Sequence, residues 1–304
     1  MDTTEIEKVN VHDSKYCISY PLEDDLLLSS IKRFGILTPL CLLDVDPPTV
    51  VTGFKRLRAA EKLGIRKIPY VLLNVSDRQA LLTAINDNLK RPLNTVEKAL
   101  CVEKMFTAAL PAEEIYGVMK ILGLPPKHKI LKTAVAAAAA GETVKNFLVR
   151  QNLPMTAVED FFWFSPEEQT SIIRLATLLN PSVSHLREVL ELMMLVKVKL
   201  GDIDFERLGG VADIDELKQT LKKQTHPGLS AMEEKLAHIR KAASLPPNIK
   251  VKVDPFFEKE SIDIWIRARN SREIEEALTK LNDLSKKDIF GSIFELTYGT
   301  SGRN

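Results

Sequence analysis

The densest group of chemically capable side chains is Thr52-Gly53-Phe54-Lys55-Arg56-Leu57-Arg58. It falls where a short β-branched run, Val50–Thr52, gives way to an amphipathic helix expected over Phe54–Leu63. A glycine at such a junction lets the backbone turn tightly, and the helix that follows presents N–H groups with no partner inside the helix. Donors and dipole converge there, which attracts anions. Lys55, Arg56 and Arg58 add charge, and a guanidinium can grip a phosphate through two parallel bonds. Residues 51–70 carry six basic side chains against Glu61 alone, a local +5. The same spacing also describes a solvated basic helix face, so the cluster by itself leaves both readings open. A second group, Asp87-Asn88-Leu89-Lys90-Arg91, closes another expected helix. A carboxylate beside an amide offers oxygen ligands to Mg²⁺, and the adjoining Lys90 and Arg91 could hold phosphate. Standing alone, that pattern also fits an ordinary helix end.

The elements that must position these groups can be read from periodicity. Leu27, Leu28, Ile31 and Phe34 fall at helical spacing between Asp24 and Phe34, with Gly35 placed as the C-cap. Leu37–Asp44, Val50–Thr52 and Ile68–Leu73 read as strands bounded by turn residues. The order helix–strand–strand–helix–strand describes a compact α/β unit. From Ser76 the pattern turns helical. Ser76 and Asp77 cap Arg78–Leu89, and Asn94-Thr95 caps the next helix with Glu97 favourably placed in its first turn. Further helices are expected near 113–122, 126–140, 142–151, 155–163, 166–179, 183–199, 214–223 and 230–244, many of them punctuated by proline. After Leu245-Pro246-Pro247 the period becomes two. Ile249, Val251 and Val253 alternate with lysines, Ile262, Ile264 and Ile266 follow, and a helix capped by Asn270-Ser271 runs to Leu281. A last segment ends near Tyr298, and the tail GTSGRN is expected to fray.

Composition narrows the class. In 304 residues there are 42 Lys and Arg against 41 Asp and Glu, a net charge of +1. That is two or three domains of soluble type, with no apolar run long enough to span a membrane and no apolar signal segment at the N-terminus. Cys17, Cys41 and Cys101 lie far apart and fit neither a disulfide framework nor a zinc site, which points to buried thiols in a reducing cytoplasm. The five histidines are isolated and propose no metal site. The near-neutral total also averages over unlike parts: residues 118–150 carry a second +5, leaving −9 for the rest of the chain (+1 − 10).

In order and spacing, SSIKRFGILTPL, VVTGFKRLRAAEKLGIRKIPYVLL and INDNLKRPLNTVEKA resemble three sequence boxes of the ParB family of partition proteins, with its ParB/sulfiredoxin-like N-terminal fold. The first box matches at Ser30-Ile31, Gly35 and Pro39. The second, Gly-Glu-Arg-Arg-x-Arg-Ala, appears as Gly53-Phe54-Lys55-Arg56-Leu57-Arg58-Ala59. The third, Glu-Asn-x-Gln-Arg, appears as Asp87-Asn88-Leu89-Lys90-Arg91, followed by Leu93, Glu97 and Ala99. The resemblance covers residues 15–100 and implies a pocket for CTP and Mg²⁺ whose occupancy closes a clamp over DNA. Nucleotide-binding residues would be Thr52, Gly53, Lys55, Arg56, Arg58, Lys90 and Arg91, with Asp87 and Asn88 at the metal. Phe54 stands where the family has glutamate, and an apolar ring can neither accept a hydrogen bond nor act on a water, which separates binding from hydrolysis. Lys55 replaces an arginine, Asp87 is one methylene shorter than glutamate, and the lead-in is Ile18-Ser19-Tyr20-Pro21 in place of Asn-Pro-x-x-Pro-Arg.

The expected helices Ile115–Leu122 and Pro126–Ala140, joined by Gly123-Leu124-Pro125, form a helix–turn–helix-like unit. In such units the second helix enters the major groove, its N-terminal residues nearest the bases. Lys127, His128, Lys129 and Lys132 lie in that half, and their types favour phosphate contact over base reading. The alanine-rich run 134–140 reads as a face packed closely against neighbours. The expectation is therefore an α+β protein in three parts. A ParB/sulfiredoxin-like nucleotide-binding domain occupies 1–92, an all-helical DNA-binding domain 93–244, and a small strand–strand–helix domain 248–304. The last resembles ParB dimerisation domains, although its strands could equally pack on the chain's own helices, and Phe256, Phe257 and Trp265 read as core or interface. Expected partners are DNA, a second copy of the chain and a partition ATPase, with no membrane. Two alternatives stay open: a nuclease or nucleotide-hydrolysing enzyme on the same N-terminal fold, and a degenerate scaffold without nucleotide.

Overall fold

A computed structural model describes residues 2–254, 257, 259 and 261–298. The tail 299–304 and Phe256 lie outside them. By packing, the chain separates into two compact units, Met1–Leu190 and Glu191–Asn304.

The first unit opens with a four-stranded sheet in the order β1-β4-β2-β3. Its strands are β1 (Thr3–Glu5), β2 (Leu40–Leu43), β3 (Thr49–Thr52) and β4 (Lys67–Leu73). β2 and β4 run parallel, Leu40 beside Tyr70 and Leu43 beside Leu73, while β1 and β3 pair antiparallel with their neighbours. Two helices join the sheet, α1 (Asp25–Phe34) and α2 (Phe54–Lys62). α2 buries Leu57 and Ala60 into a core with Val9, Leu40, Leu42, Val50 and Ile68, and Phe54 packs at its margin. Full burial of a leucine such as Leu57 contributes about 2 kcal/mol. α1 is more superficial. Ile31 is its buried residue, whereas Leu26 and Phe34 are exposed.

Helices complete this unit: α3 (Asp77–Asn88), α4 (Thr95–Thr107), α5 (Ala112–Ile121), α6 (His128–Ala139), α7 (Glu142–Arg150), α8 (Met155–Phe162) and α9 (Pro166–Leu179), with α10 (Val183–Leu200) at the boundary. Reciprocal capping boxes start α3 at Ser76 with Gln79, α4 at Asn94 with Glu97, and α9 at Ser165 with Glu168. α6 packs against α4 and α8, and Ala134, Ala137 and Ala138 are buried. Small side chains bring the helix axes close, as expected for the alanine run.

The second unit contains α11 (Phe205–Leu208), α12 (Ile214–Thr225), α13 (Pro227–Ala243), a two-stranded antiparallel ribbon β5 (Ile249–Val253) and β6 (Ile262–Ile266), α14 (Ser271–Lys286) and α15 (Ile289–Tyr298). Part of the inner face of the ribbon packs on the chain's own helices. Val251 and Phe257 share a core with Leu236 of α13 and Ile293 and Leu296 of α15. α14 continues past Leu281 to Lys286, because Leu284 is buried and no breaker intervenes.

Candidate nucleotide site and DNA-facing helix

Thr52 ends β3 fully buried, and Gly53 turns the chain into α2 with φ 101° and ψ 18°. That is left-handed backbone, which side chains avoid. Space forbids a side chain as well, since a Cβ on Gly53 would stand 2.8 Å from Leu40 Cγ and 3.2 Å from an Arg56 terminal nitrogen. No side chain caps α2, so the N–H groups of its first turn stay open to an outside acceptor.

Arg56 is the half-buried cation of this junction. One terminal nitrogen donates to the carbonyls of Thr38 and Pro39, each at 2.7 Å, fixing the turn that leads into β2. Among the described residues its hydrogen bonds go to main-chain oxygens, not to a carboxylate. Burial lowers its pKa, with Asp87 and Cys41 opposing through attraction from a distance. Arg56 is therefore a desolvated positive charge whose neutralisation is incomplete, beside open backbone donors. That arrangement fits an anion.

The third box lies within electrostatic reach of the second: Asp87 attracts Arg56, and Arg56 and Lys90 repel. Lys90 Nζ is 2.7 Å from Asp87 Oδ1. Asn88 donates to the Ala84 carbonyl at 2.9 Å, and its side-chain oxygen accepts from Arg91 at 3.0 Å. Arg91 makes a two-pronged pair with Glu97, at 2.6 and 2.7 Å.

The structure thus gathers Thr52, Gly53, Arg56, Asp87, Asn88 and Lys90 around one junction. Lys55 turns toward Asp24, at 3.5 Å. Arg58 lies on the other face of α2, where with Phe54, Leu57 and Glu61 it lines a separate cavity of about 600 Å³ shared with His12, Cys17 and Tyr20. For Mg²⁺, one carboxylate and one amide oxygen is the complement a protein supplies when phosphates provide the rest. Both oxygens already accept from cationic side chains, and the described residues contain no group of three or more His, Cys, Asp or Glu arranged for a metal.

Lys127, His128, Lys129 and Lys132 are all exposed. Lys127 is the N-cap of α6, so the helix starts two residues later than Pro126. Lys129 pairs with Glu159 of α8, which takes part of its charge from the face. The sequence marks Glu97 only as a capping acid and a third-box match, and Tyr20 only as part of the lead-in that departs from the family pattern; the partners each finds in space are not visible there. Nor does it show a cavity of about 410 Å³ beside Lys15, Tyr16 and Asp77. There the Tyr16 hydroxyl donates to Asp77 at 2.7 Å, and the Lys15 ammonium is 2.6 Å from the other oxygen. Among the described residues no helix is long and apolar enough to cross a membrane.

A small mixed sheet with an anion-fitting strand-to-helix junction, continued by a run of short helices, defines the class: an α/β binding domain joined to a helical domain. Residues 6–89 match the ParB N-terminal domain, so this part of the chain is similar to the ParB family. Over 120 residues it is 32% identical to the probable plasmid-partitioning protein ParB of Thermus thermophilus, covering 38% of this chain and 40% of that one. Over 150 residues it is 30% identical to the chromosome-partitioning protein Spo0J of the same organism, covering 45% and 53%. The matches thus span about half the length of these relatives or less. A crystal structure of C-terminally truncated ParB from Caulobacter crescentus complexed with CTP-gamma-S aligns over 57% of this chain and 96% of its own at 21% identity. The TM-score is 0.27, too low to define a shared overall arrangement.

Proposed function

We propose that this chain is a ParB-like DNA-binding protein of plasmid, phage or chromosome partition, with a CTP pocket at the second and third boxes. The observation that carries the pocket is Arg56, a half-buried guanidinium bonded to main-chain carbonyls beside an uncapped helix start. In this reading Gly53, Arg56 and Lys90 face the phosphates, and Asp87 and Asn88, once free of Lys90 and Arg91, would hold a magnesium ion that supplies charge neutralisation. Lys55 and Arg91 belong to the same proposal, each after leaving the carboxylate it pairs with, and Arg58 would join them only by swinging round from the opposite face of α2. Binding asks nothing of residue 54, whose ring is packed at the core margin. DNA would lie along the N-terminal half of α6 at Lys127, His128, Lys129 and Lys132, and the three-part division at 92 and 244–248 describes the working modules. A second copy would cover the exposed apolar residues of β6 and α14, and a partition ATPase would complete the assembly.

Calorimetric titration with CTP, with and without Mg²⁺, tests the pocket. The expected result is saturable binding that Mg²⁺ strengthens and Arg56→Ala weakens by at least tenfold, about 1.4 kcal/mol. Absence of binding by the wild type, or unchanged affinity in Arg56→Ala, would overturn it.

A further inference from the structure

We propose that Glu97 is a positioning residue that ties the orientation of Arg91, at the end of the third box, to the N-terminus of α7, with Tyr20 as the link. This deepens the nucleotide reading by naming how occupancy of the pocket reaches the helices beside the DNA-facing one, and only one arm of its test rests on that reading.

The Glu97 side chain is 1% exposed and accepts from four N–H donors. Arg91 supplies two, at 2.6 and 2.7 Å, the Asn94 backbone one at 3.1 Å, and the Tyr20 backbone one at 3.2 Å. A buried carboxylate that loses its cation must be compensated by the donors it keeps. Arg91 is the exposed partner, at 38%, and it also donates to the Asn88 side-chain oxygen. An anion reaching Asn88, Lys90 and Arg91 therefore competes with Glu97 for the same guanidinium. Among the remaining donors the Tyr20 N–H is the longest and has the most room to shorten.

Tyr20 then connects two places. Its carbonyl accepts from the Asn94 side chain at 2.6 Å, holding its backbone to the start of α4. Its hydroxyl lies 2.8 Å from both Glu142 Oε2 and Asn146 Oδ1 in α7, and the Lys145 ammonium stands 5.8 Å over its ring. With one proton to donate, the hydroxyl serves two acceptors, so small shifts of the ring redistribute that bond. α7 packs against α4 and against α6. The route from the third box to α6 thus runs through the hydrogen bonds of Glu97 and Tyr20 and through the packing of α7 against α6.

Hydrogen–deuterium exchange on the full chain tests this with Arg91→Lys, Tyr20→Phe and the double variant, folding being checked by circular dichroism. Lysine keeps the charge and loses the fork, while phenylalanine keeps the ring and loses only the hydroxyl. Arg91→Lys is expected to speed exchange in residues 142–150 by roughly two- to thirtyfold, the range of coupling through packed networks. The double variant should exchange there as Tyr20→Phe alone does. Unchanged exchange in Arg91→Lys, or effects that simply add, would overturn the link. Glu97→Gln, which preserves shape, should reproduce the Arg91→Lys effect, and failure to do so counts equally against it. In the nucleotide arm, CTP should alter protection of 142–150 in the wild type, and Tyr20→Phe should abolish that response with CTP affinity unchanged; a response that survives in Tyr20→Phe counts against the link. If the wild type binds no CTP, the pocket reading fails, and the four variants without nucleotide still decide the link.

Discussion

At Gly53 two requirements coincide, a left-handed backbone and a gap too narrow for a methyl group. Gly53→Ala must relieve both at once, by moving Leu40 in a fully buried site and by straining the turn. A loss of about 2 kcal/mol is expected, from strain of order 1–3 kcal/mol per unfavourable residue, and urea denaturation would measure it. Glu97→Ala strands Arg91 and two backbone donors. Its cost should also be about 2 kcal/mol, below the full value for a buried pair because Arg91 is partly exposed. These residues differ in how visible they were beforehand. Gly53 announces itself, since a glycine between a β-branched run and a basic helix implies a tight junction. Glu97 does not. Its place three residues after Asn94 identifies a capping box, and that motif is complete. Its second partnership, with Arg91 and Tyr20, depends on chain segments meeting in space, which local spacing does not encode.

Among the elements, α6 carries the clearest consequence. Each lysine that neutralises a phosphate contributes about one unit to the salt dependence of DNA affinity. Lys127→Ala and Lys132→Ala should each reduce the slope of log affinity against log salt by about 1, while Lys129→Ala should reduce it less, because Glu159 already shares that charge. Fluorescence anisotropy across a salt series checks this. The buried alanines make the opposite kind of prediction: Ala138→Leu would force α6 from α4 or α8 at about 1–3 kcal/mol. Helices and their starts were legible because caps and prolines are chemical signals within a few residues. β1 was not. Thr3–Glu5 has no apolar periodicity, and its strand exists because β4 offers a free edge, with Thr4 paired to Ile68. The shallow seating of α1 was equally hidden, since the spacing of Leu27, Leu28, Ile31 and Phe34 indicates a helix without fixing how deeply it sits.

For the whole molecule, the near-neutral charge conceals two basic stretches, 51–70 and 118–150, each at +5. Both belong to the first unit. The second unit exposes apolar side chains instead, Ile264 and Ile266 on β6 and Ile274 and Leu278 on α14. A two-stranded ribbon is marginal alone, and in the proposed dimer a second copy would cover these residues. Leu278→Glu should raise the dimer dissociation constant by roughly tenfold or more, as removal of a central apolar anchor does, with circular dichroism unchanged. Analytical ultracentrifugation reads it, and a monomeric wild type would refute the interface. One further consequence follows from the make-up of α6. Alanine, leucine and lysine are among the strongest helix formers, so this helix holds its shape without help from a ligand. Docking such a preformed surface on DNA forgoes the ordering penalty that coupled folding carries. Its calorimetric signature should be a modest heat-capacity change, set by the surface covered in the complex and not by a chain condensing onto the duplex.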